Sequence, residues 1–195
     1  IEAIRQRLNP KAAALGVKLT ALAFHAKALA SCLALFPRFN ASLSADGETL
    51  WLKQFFHIGI AVDTPFGLMV PVLRDVDKKG LLAIASEISE LAQRAQDRKL
   101  RPKDMGGASM SISNLGGIGG TAFTPIINPP EVAIMGLART EMQPIWTGET
   151  FDPHPMVPLD LTYDHRVING ADAARFMSHY TGLIAYPGRL VLPGL

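Results

Sequence analysis

Among the side chains of this 195-residue sequence, one stands out by type and setting: His165, in the run Tyr163-Asp164-His165-Arg166-Val167-Ile168-Asn169-Gly170. Imidazole titrates near neutral pH, so it can take a proton and return it within one reaction. Before it, Met156 to Thr162 alternates, with Val157, Leu159, Leu161 and Tyr163 on one face, the pattern of a half-buried strand. After it, Gly170-Ala-Asp-Ala-Ala-Arg-Phe-Met opens a helix with Asn169 or Gly170 at its cap. Turns held between two rigid elements are where catalytic groups are often mounted. Residue types alone leave a second reading standing: a structural histidine beside an ordinary helix cap.

The elements that would carry this turn follow from the rest of the chain. Residues 1 to 8 read as the end of a helix, stopped by Asn9-Pro10. Thr20 is placed to cap a helix from Ala21 to about Leu35, apolar all round and so well buried; Pro37 ends it. His25 inside it is expected to be packed or hydrogen-bonded. Asp46-Gly47 joins two strands, Ala41 to Ser44 and Thr49 to Lys53. Phe56 to Val62 and Leu68 to Leu73 form a second hairpin about Asp63-Thr-Pro-Phe-Gly67, with His57 on its surface. A helix from Leu81 to about Arg98 carries the apolar stripe Leu81, Ile84, Ala85, Ile88, Leu91, Ala92 and Ala95. Lys99 to Gly107 is a short helix or a turn. Ala108 to Asn114 is a strand running into Leu115-Gly-Gly-Ile-Gly-Gly120. That loop lacks Walker spacing and does not lead straight into a helix, so a nucleotide cradle is a weak reading; its backbone turns sharply or passes close to a neighbour or ligand. Val132 to Leu137 reads as a buried central strand. Gln143 to Trp146 and Phe151 flank a hairpin turn at Thr147-Gly148, and His154 lies exposed in a proline-rich turn.

Apolar residues make up 48% of the chain and charged residues 18%, a balance that an oligomer with extensive buried interfaces would explain. The net charge of +2 is small and evenly spread, which argues against a nucleic-acid partner. No apolar run approaches about 18 residues, so no membrane span is expected. The start, Ile1-Glu-Ala-Ile-Arg-Gln-Arg, has no signal-peptide core and no initiating Met, so the chain reads as a fragment. Cys32, the one cysteine, lies in an apolar run and reads as a buried thiol, in keeping with a reducing, cytoplasmic location. No metal site is expected. Asn40-Ala41-Ser42 matches a glycosylation acceptor by chance, there being no secretory signal.

Asp164-His165-Arg166-Val167-Ile168-Asn169-Gly170 resembles the DHRVxxG signature of the acyltransferase components of 2-oxo-acid dehydrogenase complexes. That family shares its fold and catalytic histidine with chloramphenicol acetyltransferase. The likeness extends to Phe39 to Leu43, Ile58 to Val72, Ser113 to Thr121 and Thr124 to Glu131, and covers most of residues 15 to 185. Asn169, where many members carry Asp, resembles the bacterial pyruvate-complex acetyltransferases. The fold implied is α/β (α+β, two-layer): a chloramphenicol acetyltransferase-like mixed sheet with helices packed on one side, forming trimers. Residues 1–195 would be one catalytic domain without its opening arm, and the lipoyl and peripheral subunit-binding domains would be absent from the chain. Asp77-Lys78-Lys79 precedes a helix rather than sitting in a hairpin, so it is not read as a lipoyl attachment site.

The activity implied is transfer of an acetyl group between the dihydrolipoyl thiol of a lipoyl domain and coenzyme A, at the core of a bacterial pyruvate dehydrogenase complex. A thiol with a pKa of about 8.5 supplies little thiolate at neutral pH, so a base is needed. The resemblance gives that role to His165, through Nε2. It gives Ser113 the role of donor to the tetrahedral oxyanion. Asn169 would orient the base or help position a substrate, and Asp164 and Arg166 would hold the turn by ion pairing. Phe123, Ile126 and Met135 align with apolar channel positions that suit a pantetheine or lipoyl arm. The histidine and the serine are expected from adjacent subunits of a homotrimer, with the trimers forming an octahedral cage of about 24 copies. The tail, Tyr186 to Leu195, is expected to dock on a neighbouring subunit. Pyruvate dehydrogenase and dihydrolipoamide dehydrogenase would be recruited through the absent domains.

Three alternatives compete. A succinyl- or branched-chain acyltransferase would share the chemistry, but succinyl-type relatives tend to have Thr where Ser113 stands. A free-standing antibiotic acetyltransferase is countered by the long match outside the signature. A non-catalytic cage-forming scaffold is countered by the intact Asp164, His165 and Ser113.

Overall fold

The computed structural model describes residues 1–191. Two helices open the chain, α1 (Glu2–Ala14) and α2 (Ala21–Leu35). Six short strands follow: β1 (Ala41–Leu43), β2 (Leu50–Leu52), β3 (Ile58–Ile60), β4 (Val62–Thr64), β5 (Gly67–Met69) and β6 (Val72–Leu73). After α3 (Leu81–Gln96) come β7 (Met110–Asn114), β8 (Ala133–Leu137), β9 (Glu141–Trp146), β10 (Phe151–Met156) and β11 (Leu159–Tyr163). Helices α4 (Gly170–Ala185) and α5 (Gly188–Val191) end the described chain. Five strands form the central sheet in the order β11-β8-β7-β3-β6. Strands β3, β7 and β8 run parallel, and the two edge strands run antiparallel to their neighbours, so the sheet is mixed.

The period of two sorts this sheet into unlike faces. Ile58, Ile60, Met110, Ile112, Ala133, Met135 and Leu137 join Phe24, Leu29, Leu33, Phe176 and Tyr180 in the buried core, where α2, α3 and α4 pack. Gly59, Ser111, Ser113 and Gly136 point the other way, and all four are small. The segment 115–131 presses on this second face: a Cβ added to Gly136 would stand 3.1 Å from both the Phe123 ring and Pro125. β8 is buried along its whole length because both faces are covered.

Several expectations need correction. α1 does not stop at Asn9 but runs through Pro10 to Ala14. Pro10 forfeits one helix hydrogen bond, yet the helix continues because Ala12 is fully buried and Ile1, Ile4 and Leu8 pack against the core. The second hairpin is broken in two. β3 and β6 pair in the central sheet, whereas β4 and β5 form a separate ribbon. Pro71 lies at the break and has no N–H for the ladder, although its carbonyl still accepts from Ile60 N–H at 2.9 Å. His57 is not a free surface residue, since its Nδ1 accepts the Asp75 N–H at 3.0 Å and holds a residue in left-handed backbone (φ 49°). His154 is exposed as expected, but in strand β10 rather than a turn; an isolated two-stranded ribbon tolerates its flanking prolines. Of the tail expected to dock on a neighbour, residues 192–195 lie outside the described residues.

Candidate active site

The turn after β11 is built by backbone and ion-pair bonds that leave its histidine outside. Asp164 N–H donates to Val132 O at 2.8 Å, tying the turn to the start of β8. The Asp164 carboxylate accepts from Arg166 Nη2 at 2.7 Å, from its Nε at 3.0 Å and from its backbone N–H at 3.0 Å. These bonds hold the Asp164 carboxyl below its ordinary pKa. Val167 and Ile168 N–H both return to Asp164 O at 3.0 Å, and their side chains are buried. With the turn anchored on both sides, His165 is exposed, and its ring centroid lies 5.6 Å from that of Tyr163. Asn169 is the N-cap of α4: its Oδ1 accepts Asp172 N–H at 2.8 Å. That leaves the Asn169 amide nitrogen free of protein partners among the described residues.

Ser113 is half-buried near the end of β7, on the face away from the helices. Its partner on β8 is Gly136, over which the Phe123 ring lies. Ser113 and Phe123 therefore share one surface. Ile126, on the same covering segment, is 90% exposed. Met135 does not join them. It is 0% exposed and belongs to the helix-side core, because alternation along β8 turns it opposite to Gly136. The expected channel role for Met135 is thus corrected to a packing role.

The sheet register places Ser113 and His165 at opposite ends. Tyr163 pairs with Ala133, whereas Ser113 pairs with Gly136. Three residues of rise is about 10 Å, and two strand spacings add about 10 Å sideways. His165 lies two residues beyond Tyr163, leading away from Ser113. Both groups must come within about 3 Å of the reacting atoms to act together. Within one chain they do not.

Two features escaped the sequence reading. Glu131 is buried and accepts Ser111 Oγ–H at 2.8 Å and Asn128 Nδ2–H at 3.1 Å, so one carboxylate ties the covering segment to β7. Burial pushes its pKa up, partly offset by these bonds. Tyr163, treated only as a strand residue, stands beside His165. The lone acid ahead of the apolar run in Asn128-Pro-Pro-Glu131 was a signal for the first; nothing in the alternation marked the second. Cys32 is fully buried, and burial pushes its thiol up to about 12, which fits a packing role.

The sequence profile of the 2-oxoacid dehydrogenases acyltransferase (catalytic domain) family matches residues 1–192. The chain belongs to this acyltransferase family. It is 53% identical over 192 residues to the dihydrolipoyllysine-residue acetyltransferase component of the pyruvate dehydrogenase complex of Cupriavidus necator, covering 98% of this chain and 34% of that protein. The same component of Azotobacter vinelandii is 53% identical over 185 residues, covering 95% of this chain and 29% of that protein. The chain thus spans about a third of the length of these curated relatives. Among solved structures, Azotobacter vinelandii dihydrolipoamide acetyltransferase superposes with a TM-score of 0.95 at 51% identity, covering 98% of this chain and 79% of that one. The work on that structure concerns the role of a serine, a histidine and an asparagine in its catalytic mechanism. The cubic core of a pyruvate dehydrogenase multienzyme complex also superposes at 0.95, with 52% identity and the same coverage. Chloramphenicol acetyltransferase, at 14% identity and a TM-score of 0.59, shares the fold of this acyltransferase domain.

Proposed function

We propose that this acyltransferase domain moves an acetyl group between coenzyme A and a dihydrolipoyl thiol, at sites each shared by two copies of the chain. The observation that carries the reading is the separation of His165 from Ser113. An exposed imidazole at one end of the sheet and a half-buried hydroxyl at the other make a site only when a second copy brings its His165 to this Ser113. Two further observations support it. In the Azotobacter enzyme the serine and histidine are 52 residues apart and the asparagine follows four later, the same spacing as Ser113, His165 and Asn169. The exposed ribbon of β9 and β10, with Met142, Trp146 and Phe151 each more than half exposed, also has an apolar surface suited to a neighbouring copy. Trimers assembled into a cubic cage are the oligomer this reading expects.

In this site His165 Nε2 takes the proton of the attacking thiol, and the sulfur adds to the thioester carbon. The partner copy's Ser113 hydroxyl donates to the oxyanion so formed. When the tetrahedral intermediate collapses, the old carbon–sulfur bond breaks and the departing thiolate takes the proton from the imidazolium. Phe123 and the exposed Ile126 offer apolar surface to the pantetheine or lipoyl arm. Asn169 holds the start of α4 through Oδ1 and leaves its amide N–H to position the base or the substrate. Pyruvate dehydrogenase and dihydrolipoamide dehydrogenase would meet this core through segments other than this chain.

The test is acetyl transfer from acetyl-CoA to dihydrolipoamide by wild type and His165→Ala. The reading expects activity in the first and its near-complete loss in the second. Activity indifferent to the substitution would refute the base assignment, and succinyl-CoA used in preference to acetyl-CoA would replace the acyl group proposed.

A further inference from the structure

At the end of the sheet that carries Ser113, but on the helix side, lies a cleft of about 300 Å³ between the start of α2 and the glycine-rich loop. It is lined by Leu22, His25, Asn114, Gly116, Arg139 and Thr140 among others, and among the described residues by no aspartate or glutamate. His25 is 4% exposed, and its Nδ1 lies 2.7 Å from Tyr180 Oη. Tyr180 is fully buried, and burial holds its hydroxyl protonated. That hydroxyl has no other partner among the described residues, so its proton goes to Nδ1. The His25 ring then carries its own proton on Nε2, and Nε2 is bonded to no protein group among the described residues. The start of α2 is donor-rich as well: the Thr20 hydroxyl makes no cap bond, and no acidic residue stands in the first turn. Arg139 is exposed and makes no ion pair among the described residues.

We propose that this cleft binds a small oxyanion, a carboxylate or phosphate group, held by His25 Nε2–H, the Arg139 guanidinium and the first N–H groups of α2. The volume is at the lower end of ligand pockets, so the ligand is small. Ser113 and Phe123 lie on the opposite face of the sheet, so this site is separate from the acyl-transfer site and does not depend on that reading. Because Asn114 ends β7 and Gly116 lies in the loop that leads from it to Phe123, a bound anion ties α2 to that loop.

The experiment follows the His25 ring by NMR in the intact protein, its signal assigned by its loss in His25→Gln. Sodium phosphate and sodium acetate are titrated separately, against sodium chloride at matched ionic strength. The proposal expects a saturable shift with phosphate or acetate and none with chloride; whichever saturates at lower concentration identifies the preferred group. Arg139→Gln, an exposed substitution that leaves the core intact, should weaken that binding by roughly tenfold or more, the scale of one charge-assisted hydrogen bond. A shift that follows ionic strength equally in all three salts, or an affinity unchanged in Arg139→Gln, overturns the proposal.

Discussion

His25 and His165 are the same side chain in opposite settings, one buried against a tyrosine and one exposed on a turn. His25 sits one turn into α2, 4% exposed, with one ring nitrogen engaged by a buried tyrosine. Burial lowers its pKa to about 4, so it is neutral at pH 7. His165 sits in a turn held by the Asp164 backbone and the Asp164–Arg166 ion pair, neither of which uses its ring. Among the described residues its one aromatic neighbour is Tyr163, and it is exposed. A group that must pick up and release a proton needs an open path and a free nitrogen. At His25 burial keeps the ring neutral, so its Nδ1 bond to Tyr180 holds α2 to α4 without any proton being exchanged.

Substitutions sharpen that contrast, and the largest effect is expected at the exposed ring. His165→Ala should lower acetyl transfer by roughly two to four powers of ten, the usual contribution of a general base, with the melting temperature nearly unchanged. Steady-state kinetics beside a thermal melt check both halves. Ser113→Ala should cost roughly two to three powers of ten in kcat with little change in KM, because in the proposed mechanism its donor acts on the transition state. At the buried ring the expected effect is on stability and its pH dependence. Between pH 6.5 and about 4 the unfolded chain binds a proton at His25 that the folded chain refuses. Stability therefore falls as pH drops through that window, by up to about 3 kcal/mol, and this contribution levels off below it. Denaturant unfolding at pH 7, 5.5 and 4 should show the slope in wild type and its loss in His25→Gln; the same slope in both would break the comparison. The smallest effect belongs to the cap: Asn169→Ala should cost about 1 kcal/mol and Asn169→Asp much less, since Asp also accepts the Asp172 N–H.

Much of this was readable from residues in order. α2 begins and ends where Thr20 and Pro37 placed it, and the alternation in Val157, Leu159, Leu161 and Tyr163 gave β11 and the turn after it. Local rules failed where tertiary packing outvoted them. Pro10 should have stopped α1, but the core contacts of Ala12 and its neighbours carried the helix past it. Met135 was given a channel role by likeness, although its parity along β8 set it against the helices. The Tyr180 contact that fixes the tautomer of His25 joins residues 155 positions apart, and no local pattern reports such a pair. The separation of Ser113 from His165 is of the same kind, being a property of strand register rather than of either motif.

A mixed oligomer tests the shared site most directly. His165→Ala and Ser113→Ala chains, each inactive alone, are co-assembled in equal amounts and assayed for acetyl transfer to dihydrolipoamide. If each site takes its histidine from one copy and its serine from another, random assembly restores about one quarter of the wild-type activity. Mixed oligomers as inactive as either parent would contradict a site built between copies.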